Sequence, residues 1–200
     1  MNKELIKKLP KGYVSWSQLN LWERDPRMYQ KVYFDNLGVY SEAMDFGKRV
    51  AVSIENGDNS GDPSIEFIKM LFPKCPQKER EYEINAVFEG IPLKGVMDRF
   101  SNKLTLVQEY KTGKTKWTQK MVDTHGQLTI YGMLVWKKYG YIPKFELIWA
   151  PTIATDDGIV SAGNVVRFET ERTKADFAKM YGRLKRFVEG VAKLNDSIKK

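Results

Sequence analysis

Apolar positions along the chain change their period several times, and each change marks an element. In the stretch 15–31, SWSQLNLWERDPRMYQK, Ser15 or Ser17 is placed to cap a short helix carrying Leu19, Leu21 and Trp22. Pro26 interrupts or restarts that helix, and Tyr29, Val32, Tyr33 and Phe34 continue it as an aromatic, core-facing side. Residues 41–56 place Ala43, Phe46, Val50 and Ile54 at spacings of three and four, which predicts a second helix. Gly47 inside it points to close packing against another element. The stretch 57–63, GDNSGDP, reads as a loop, and SIEFIKMLFP as a short helix ended by Pro73.

The period then falls to two. Residues 81–88, EYEINAVF, alternate and are rich in β-prone side chains. A turn at Glu89-Gly90 leads to a second strand, IPLKGVMDRF, and a turn near Ser101–Lys103 to a third, LTLVQEYK. The three read as an antiparallel meander that Gly113 ends, with Lys114 and Lys116 lining its exit. Residues 118–139 predict one long helix with a stripe of Leu128, Tyr131, Leu134 and Val135. Gln127 and Tyr131, four apart, share a face of it. The apolar strand KFELIWAPTI follows, and a strand–helix–strand unit of this length predicts a right-handed parallel crossover. The stretch 156–163 reads as loop and NVVRFET as a further short strand. From Thr173 onward, Phe177, Tyr181, Leu184, Val188 and Val191 mark a C-terminal helix, with Thr173 and Asp176 at its cap. The pattern predicts an α/β fold in one domain over residues 1–200, a mixed sheet flanked by helices.

Charge narrows the partners. The chain holds 33 Lys and Arg against 25 Asp and Glu, a net charge of +8, which favours a polyanion, most simply nucleic acid. Lys114, Lys116 and Arg27 are candidate phosphate contacts; for Arg27, with Arg24 and Lys31, a solvated face is the alternative. The C-terminal helix carries Lys174, Lys179, Arg183, Lys185 and Arg186, a solvated basic face by default and a DNA-facing one second. With one cysteine, Cys75, and one histidine, His125, the chain lacks the residues for an internal disulfide, a Cys/His zinc site or an iron–sulfur cluster. Any metal is expected to be a hard ion on oxygen ligands. The N-terminus is basic without the apolar run of a signal peptide, and no stretch approaches the ~18 apolar residues of a membrane span. The expectation is a cytosolic protein, bacterial or phage-encoded.

The candidate chemistry lies in Gly95–Gly113, GVMDRFSNKLTLVQEYKTG. If Asn102 and Lys103 form a two-residue loop, Asp98 pairs with Val107 and Val96 with Glu109. Asp98 and Glu109 then become diagonal neighbours on one face, with Cα atoms roughly 7–8 Å apart. Lys111, two residues beyond Glu109, shares that face. Two carboxylates that lean onto one Mg²⁺ or Mn²⁺, with an ammonium beside them, are what metal-assisted phosphodiester cleavage needs. Lys111 would orient the attacking water or balance the developing charge. The alternative is an exposed hairpin whose charges only solubilise it.

In these residues the chain resembles the RecB-type branch of the PD-(D/E)XK nuclease superfamily, which includes the Cas4-like exonucleases. The family's G-x-x-D strand is similar to Gly95–Asp98, and its acid–x–Lys–Thr–Gly segment to Glu109–Gly113. Its Gln-x-x-x-Tyr helix is similar to Gln127–Tyr131. Its N-terminal Ser-x-Ser-x-Leu…Pro…Tyr segment is similar to Ser15, Ser17, Leu19, Pro26 and Tyr29. The resemblance implies a restriction-endonuclease-like core. It implies metal ions on Asp98, Glu109 and the Tyr110 carbonyl, catalysis by Lys111, and Gln127 and Tyr131 completing the site or contacting DNA. Two positions depart from the pattern. Ala51 stands where many members have a helix histidine, with Glu55 one turn on as a weak substitute. Asp25 stands where the iron–sulfur members have a cysteine, which sets this chain apart from them. His125, two residues from Gln127, falls off its face and reads as structural or surface. The expected function is a divalent-metal-dependent DNA exonuclease acting on linear double- or single-stranded DNA in replication, recombination or repair. It would work alone, as a homo-oligomer or with other repair proteins. A DNA-binding module that has lost activity, which Ala51 favours, and an RNA-processing nuclease are the alternatives.

Overall fold

The computed structural model describes residues 2–38, 40–57, 59–156 and 158–198. Local capping sets most helix starts. A short helix that the periodicity did not predict, α1 (Lys3–Lys7), begins on the Asn2 side chain. Ser15 caps α2 (Trp16–Arg24) by accepting from the Gln18 N–H. Asp25 caps α3 (Pro26–Tyr33), so Pro26 starts a new helix at a position where its missing N–H costs nothing. The helix α4 (Glu42–Asn56) runs from a Ser41 cap to Gly57, whose φ of 76° is left-handed. Asp62 caps α5 (Pro63–Leu71).

The meander follows as β1 (Arg80–Phe88), β2 (Ile91–Ser101) and β3 (Leu106–Gly113). Next come α6 (Gln119–Asp123), α7 (Gly126–Tyr139), β4 (Lys144–Thr155), β5 (Gly158–Ser161), β6 (Val166–Thr170) and α8 (Lys174–Ile198). The sheet runs β1-β2-β3-β4-β5, with β6 also on β4. The first three strands are antiparallel, β3 and β4 are parallel, and β5 and β6 run antiparallel to β4. This is the mixed α/β core of a restriction-endonuclease-like fold.

Alternation along β4 shows how the sheet is covered. Leu147 and Trp149 join a large core with α2, α3, α7 and α8, which includes Leu19, Tyr29, Leu134 and Phe187. Ile148 and Ala150 point the other way, onto Phe46, Val50, Ile65, Ile68 and Phe72 of the α4–α5 segment. Both faces are therefore packed, as a parallel pair of strands requires.

Two expected elements are corrected. The single helix over 118–139 is broken at Thr124-His125 into α6 and α7. The Thr124 hydroxyl bonds back to the Lys120 carbonyl, and the Arg172 guanidinium takes the Val122 carbonyl that a continuous helix would use; it also reaches the His125 carbonyl, which starts α7 by accepting from the Thr129 N–H. Part of the stretch 156–163, expected as loop, forms β5, paired with the end of β4 from Thr152 to Thr155. Four residues carry too little pattern to be told from a loop. Asp58 and Asp157, in the two expected loops, lie outside the described residues.

Candidate active site

The meander determines where the charged residues meet. The turn between β2 and β3 spans residues 102–105 and is two residues longer than expected. Thr105 adopts a left-handed φ of 49°. Arg99 thus pairs with Gln108 and Phe100 with Val107, instead of Asp98 with Val107. A shift of two residues preserves the face on which every side chain lies, so the acids stay on one side. Continuing the register puts Asp98 directly opposite Glu109 instead of diagonal to it.

The ladder does not continue there. Beyond Arg99 the strands stop pairing, and the N–H of Tyr110 donates to the Asp98 carboxylate instead. The gap opens into a cavity of about 500 Å³ walled by α4. Asp98, Glu109, Lys111 and Tyr110 line it together with Ala51, Glu55 and Glu81. Close packing of α4 over the strands depends on Gly47, where a Cβ would lie 3.2 Å from the Thr112 hydroxyl.

A chain of polar contacts holds the ammonium. Lys111 Nζ makes an ion pair with Glu109 Oε1 and donates to Gln127 Oε1 at 3.0 Å. The Gln127 amide donates to the Tyr131 hydroxyl at 2.7 Å, and that hydroxyl donates to the Val96 carbonyl. Gln127 and Tyr131, one helical turn apart on α7, therefore tie Lys111 to β2. Glu109 is only 2% exposed, and its second carboxylate oxygen, Oε2, has no hydrogen-bond partner. A buried carboxylate oxygen with nothing to accept from is costly unless a cation takes it.

The charges are correspondingly perturbed. Burial and the neighbouring Glu109 push the Asp98 carboxyl well above its ordinary value. Burial works against the Lys111 charge, but Glu109 and Asp98 outweigh it and hold the ammonium above its usual range. The Tyr131 phenol is pushed up by burial and by the same two acids. Glu81 is raised by burial, then by Glu55 and Glu109.

The donor set fits a hard divalent cation. It consists of oxygens only, and the unpaired Glu109 oxygen stands beside Asp98. Among the described residues no three His, Cys, Asp or Glu side chains converge on one point.

The other candidates are spread out. Tyr110 lines the cavity with its ring stacked on Phe72 at 4.6 Å. Lys114 and Lys116 are exposed just past β3. Arg27 is exposed on α3 and does not line the cavity. Asp25 serves α3 as its cap, accepting from the Met28 N–H at 2.9 Å. His125 packs edge-on between Trp16 and Trp117, with centroids 5.6 and 5.0 Å away. Burial, with Lys111 and Arg172 nearby, lowers its pKa to about 3, so it is a neutral packing residue. The sequence pattern passed over Glu81. It sits among Lys78, Glu79, Arg80 and Glu83, a run of charges that reads as solvated.

The family model of the PD-(D/E)XK nuclease superfamily matches residues 62–196, more than half of the chain. The chain belongs to that superfamily. The match covers the cavity strands and α7; the N-terminal segment from Ser15 to Tyr29 lies before it. Solved structures repeat the superfamily fold. A protein from Eubacterium rectale, provisionally named an exonuclease, superposes with a TM-score of 0.57 at 11% identity, over 92% of this chain and 82% of its own. A protein named SSO0001 does so with a TM-score of 0.51 at 16% identity, over 94% and 84%. At these identities the likeness is one of fold. No curated protein matches the chain. Among the described residues no helix is long and apolar enough to cross a membrane.

Proposed function

We propose that this superfamily member is a divalent-metal-dependent deoxyribonuclease that hydrolyses phosphodiester bonds, an exonuclease acting on linear DNA. The observation that carries this reading is the buried, unpaired Oε2 of Glu109, in one cavity with Asp98 and two residues along the strand from an ammonium held by Gln127 of α7. Asp98 and Glu109 would hold a Mg²⁺ or Mn²⁺, with the Tyr110 carbonyl as a further oxygen. When bound, the ion neutralises phosphate charge and makes a water more acidic. Lys111 remains protonated between the acids and presents its positive charge to the phosphate oxygens as negative charge builds in the transition state. Gln127 positions that ammonium, and Tyr131 holds Gln127 in place. Lys114 and Lys116 supply phosphate contacts at the mouth of the cleft.

Ala51 favours a second reading, a DNA-binding module without activity, because the α4 wall offers no ligand at that point. One assay separates the two. Linear double-stranded, single-stranded and closed circular DNA are incubated with Mg²⁺ or Mn²⁺ and either wild type or Lys111→Ala. Loss of linear DNA by wild type alone supports the exonuclease. Cleavage of closed circles makes it an endonuclease, and metal-independent binding without cleavage supports the module. Parallel reactions on RNA test the nucleic-acid class.

A further inference from the structure

Glu81 has a placement that the proposed chemistry does not use. In β1 it lies between Arg80, which pairs with Arg99, and Tyr82, which pairs with Met97. Counted along the register its position faces Asp98, and that of Asp98 faces Glu109 on β3, although the strands are not paired at either point. Three carboxylates stand in a row across three strands, and all three line one cavity. Glu81 is also held in a left-handed conformation, with φ of 43°, that a non-glycine residue adopts only under constraint. The constraint is visible on both sides. The Arg80 guanidinium is spent on the carbonyls of Ile54, Glu55 and Cys75. The Tyr82 ring packs against Phe100 at 4.9 Å.

The charge balance in the cavity favours a cation. Glu55, Glu81, Asp98 and Glu109 line it against Lys111 and an Arg80 already bound to carbonyls. Gathering such an excess in a partly enclosed space is unfavourable until a positive ion enters. The buried oxygen of Glu109 without a hydrogen-bond partner is an independent sign that the cavity suits a cation. Glu81 does not converge on one point with Asp98 and Glu109. A hard divalent ion keeps several of its waters, so a third acid at longer range can act through one of them.

We propose that Glu81 is a positioning residue of the cation site, holding one of the waters bound to an ion on Asp98 and Glu109. The inference rests on the cation reading above. Its test is Mn²⁺ affinity of the metal-free protein, read by electron paramagnetic resonance of free Mn²⁺, without any nuclease assay. Wild type is expected to bind Mn²⁺ and Asp98→Asn to lose binding. Glu81→Gln should bind roughly tenfold or more weakly. Glu83→Gln, on the same strand but outside the cavity and paired with Lys94, should leave affinity unchanged. Glu81→Gly, which suits the left-handed backbone, guards against misfolding and should show the same loss as Glu81→Gln. If both Glu81 variants bind as wild type while Asp98→Asn does not, the role of Glu81 is refuted and the cation site stands. A larger loss in Glu83→Gln than in Glu81→Gln also refutes it. If wild type does not bind, or Asp98→Asn binds equally well, both readings fall.

Discussion

Arg172 and the β2–β3 cavity both bury charge, and they treat it in opposite ways. Arg172, just past β6, is 5% exposed. Its Nε donates to the Thr129 hydroxyl at 2.9 Å, and one terminal nitrogen to the Thr170 hydroxyl at 2.8 Å and the Glu171 carbonyl at 2.7 Å. The other donates to the carbonyls of Val122 at 2.8 Å and His125 at 3.3 Å. Every nitrogen is used, and the result is a rigid junction from which α7 departs. The cavity between β2 and β3 is the reverse. Its acids crowd together, Glu109 Oε2 has no partner, and the strand ladder is broken beside Asp98. A satisfied buried charge specifies structure, whereas an unsatisfied one marks where a ligand belongs.

The sharpest way to break this contrast is to remove charge from each side. Lys111→Ala should lower metal-dependent cleavage by about 10²–10³-fold while the protein stays folded, measured by initial rates and thermal melting. Asp98→Asn should abolish the metal response yet leave the metal-free protein at least as stable as wild type near neutral pH. Its ionised carboxyl is disfavoured by burial and by Glu109, so removing it relieves a cost. Arg172→Met should do the opposite, lowering stability by about 3 kcal/mol in denaturant titrations because the threonines and carbonyls lose their donor. A melting point unchanged in Arg172→Met would erase the distinction.

Smaller effects sharpen it. At Gly126 an added Cβ would lie 2.2 Å from the Trp16 ring, so Gly126→Ala should cost about 1–3 kcal/mol as the ring is displaced. His125 gives a pH test. Its pKa falls from 6.5 to about 3 on folding. Below pH 6.5 the unfolded chain takes a proton that the folded chain refuses, so stability is present above that pH and is lost as pH falls toward 3. His125→Gln should flatten this part of the melting-temperature profile; an unchanged slope would show that His125 is not buried neutral.

The local parts of this arrangement are legible in the residues. Ser15, Thr173 and Asp176 announce helix starts, and a capping side chain acts within its own turn. Glu109 and Lys111 share a face whatever the register, because two residues along a strand always do. Gln127 and Tyr131 share one because four along a helix do. The hairpin acids lie on one side although the turn is two residues longer than expected, since a shift of two residues leaves a period of two unchanged. What escaped was set from a distance. The helix break at Thr124-His125 depends on Arg172, nearly fifty residues on, and Gly126 answers to Trp16, more than a hundred residues earlier. Nothing local to Glu81 signals its left-handed backbone or its view of Asp98.

By itself, then, the sequence determined most element types, the caps at Ser15 and Thr173, the shared face of Glu109 and Lys111, that of Gln127 and Tyr131, and membership in a nuclease superfamily. These follow from periodicity and from interactions within a few residues. Only the tertiary structure decided that the β2–β3 ladder ends at Arg99, that Glu109 keeps one oxygen unpaired, that Glu81 joins the row of acids and that Arg172 is fully bonded. Whether a buried polar atom is satisfied depends on which remote segments pack around it. Burial and pairing are properties of the assembled fold, and no stretch of residues carries them alone.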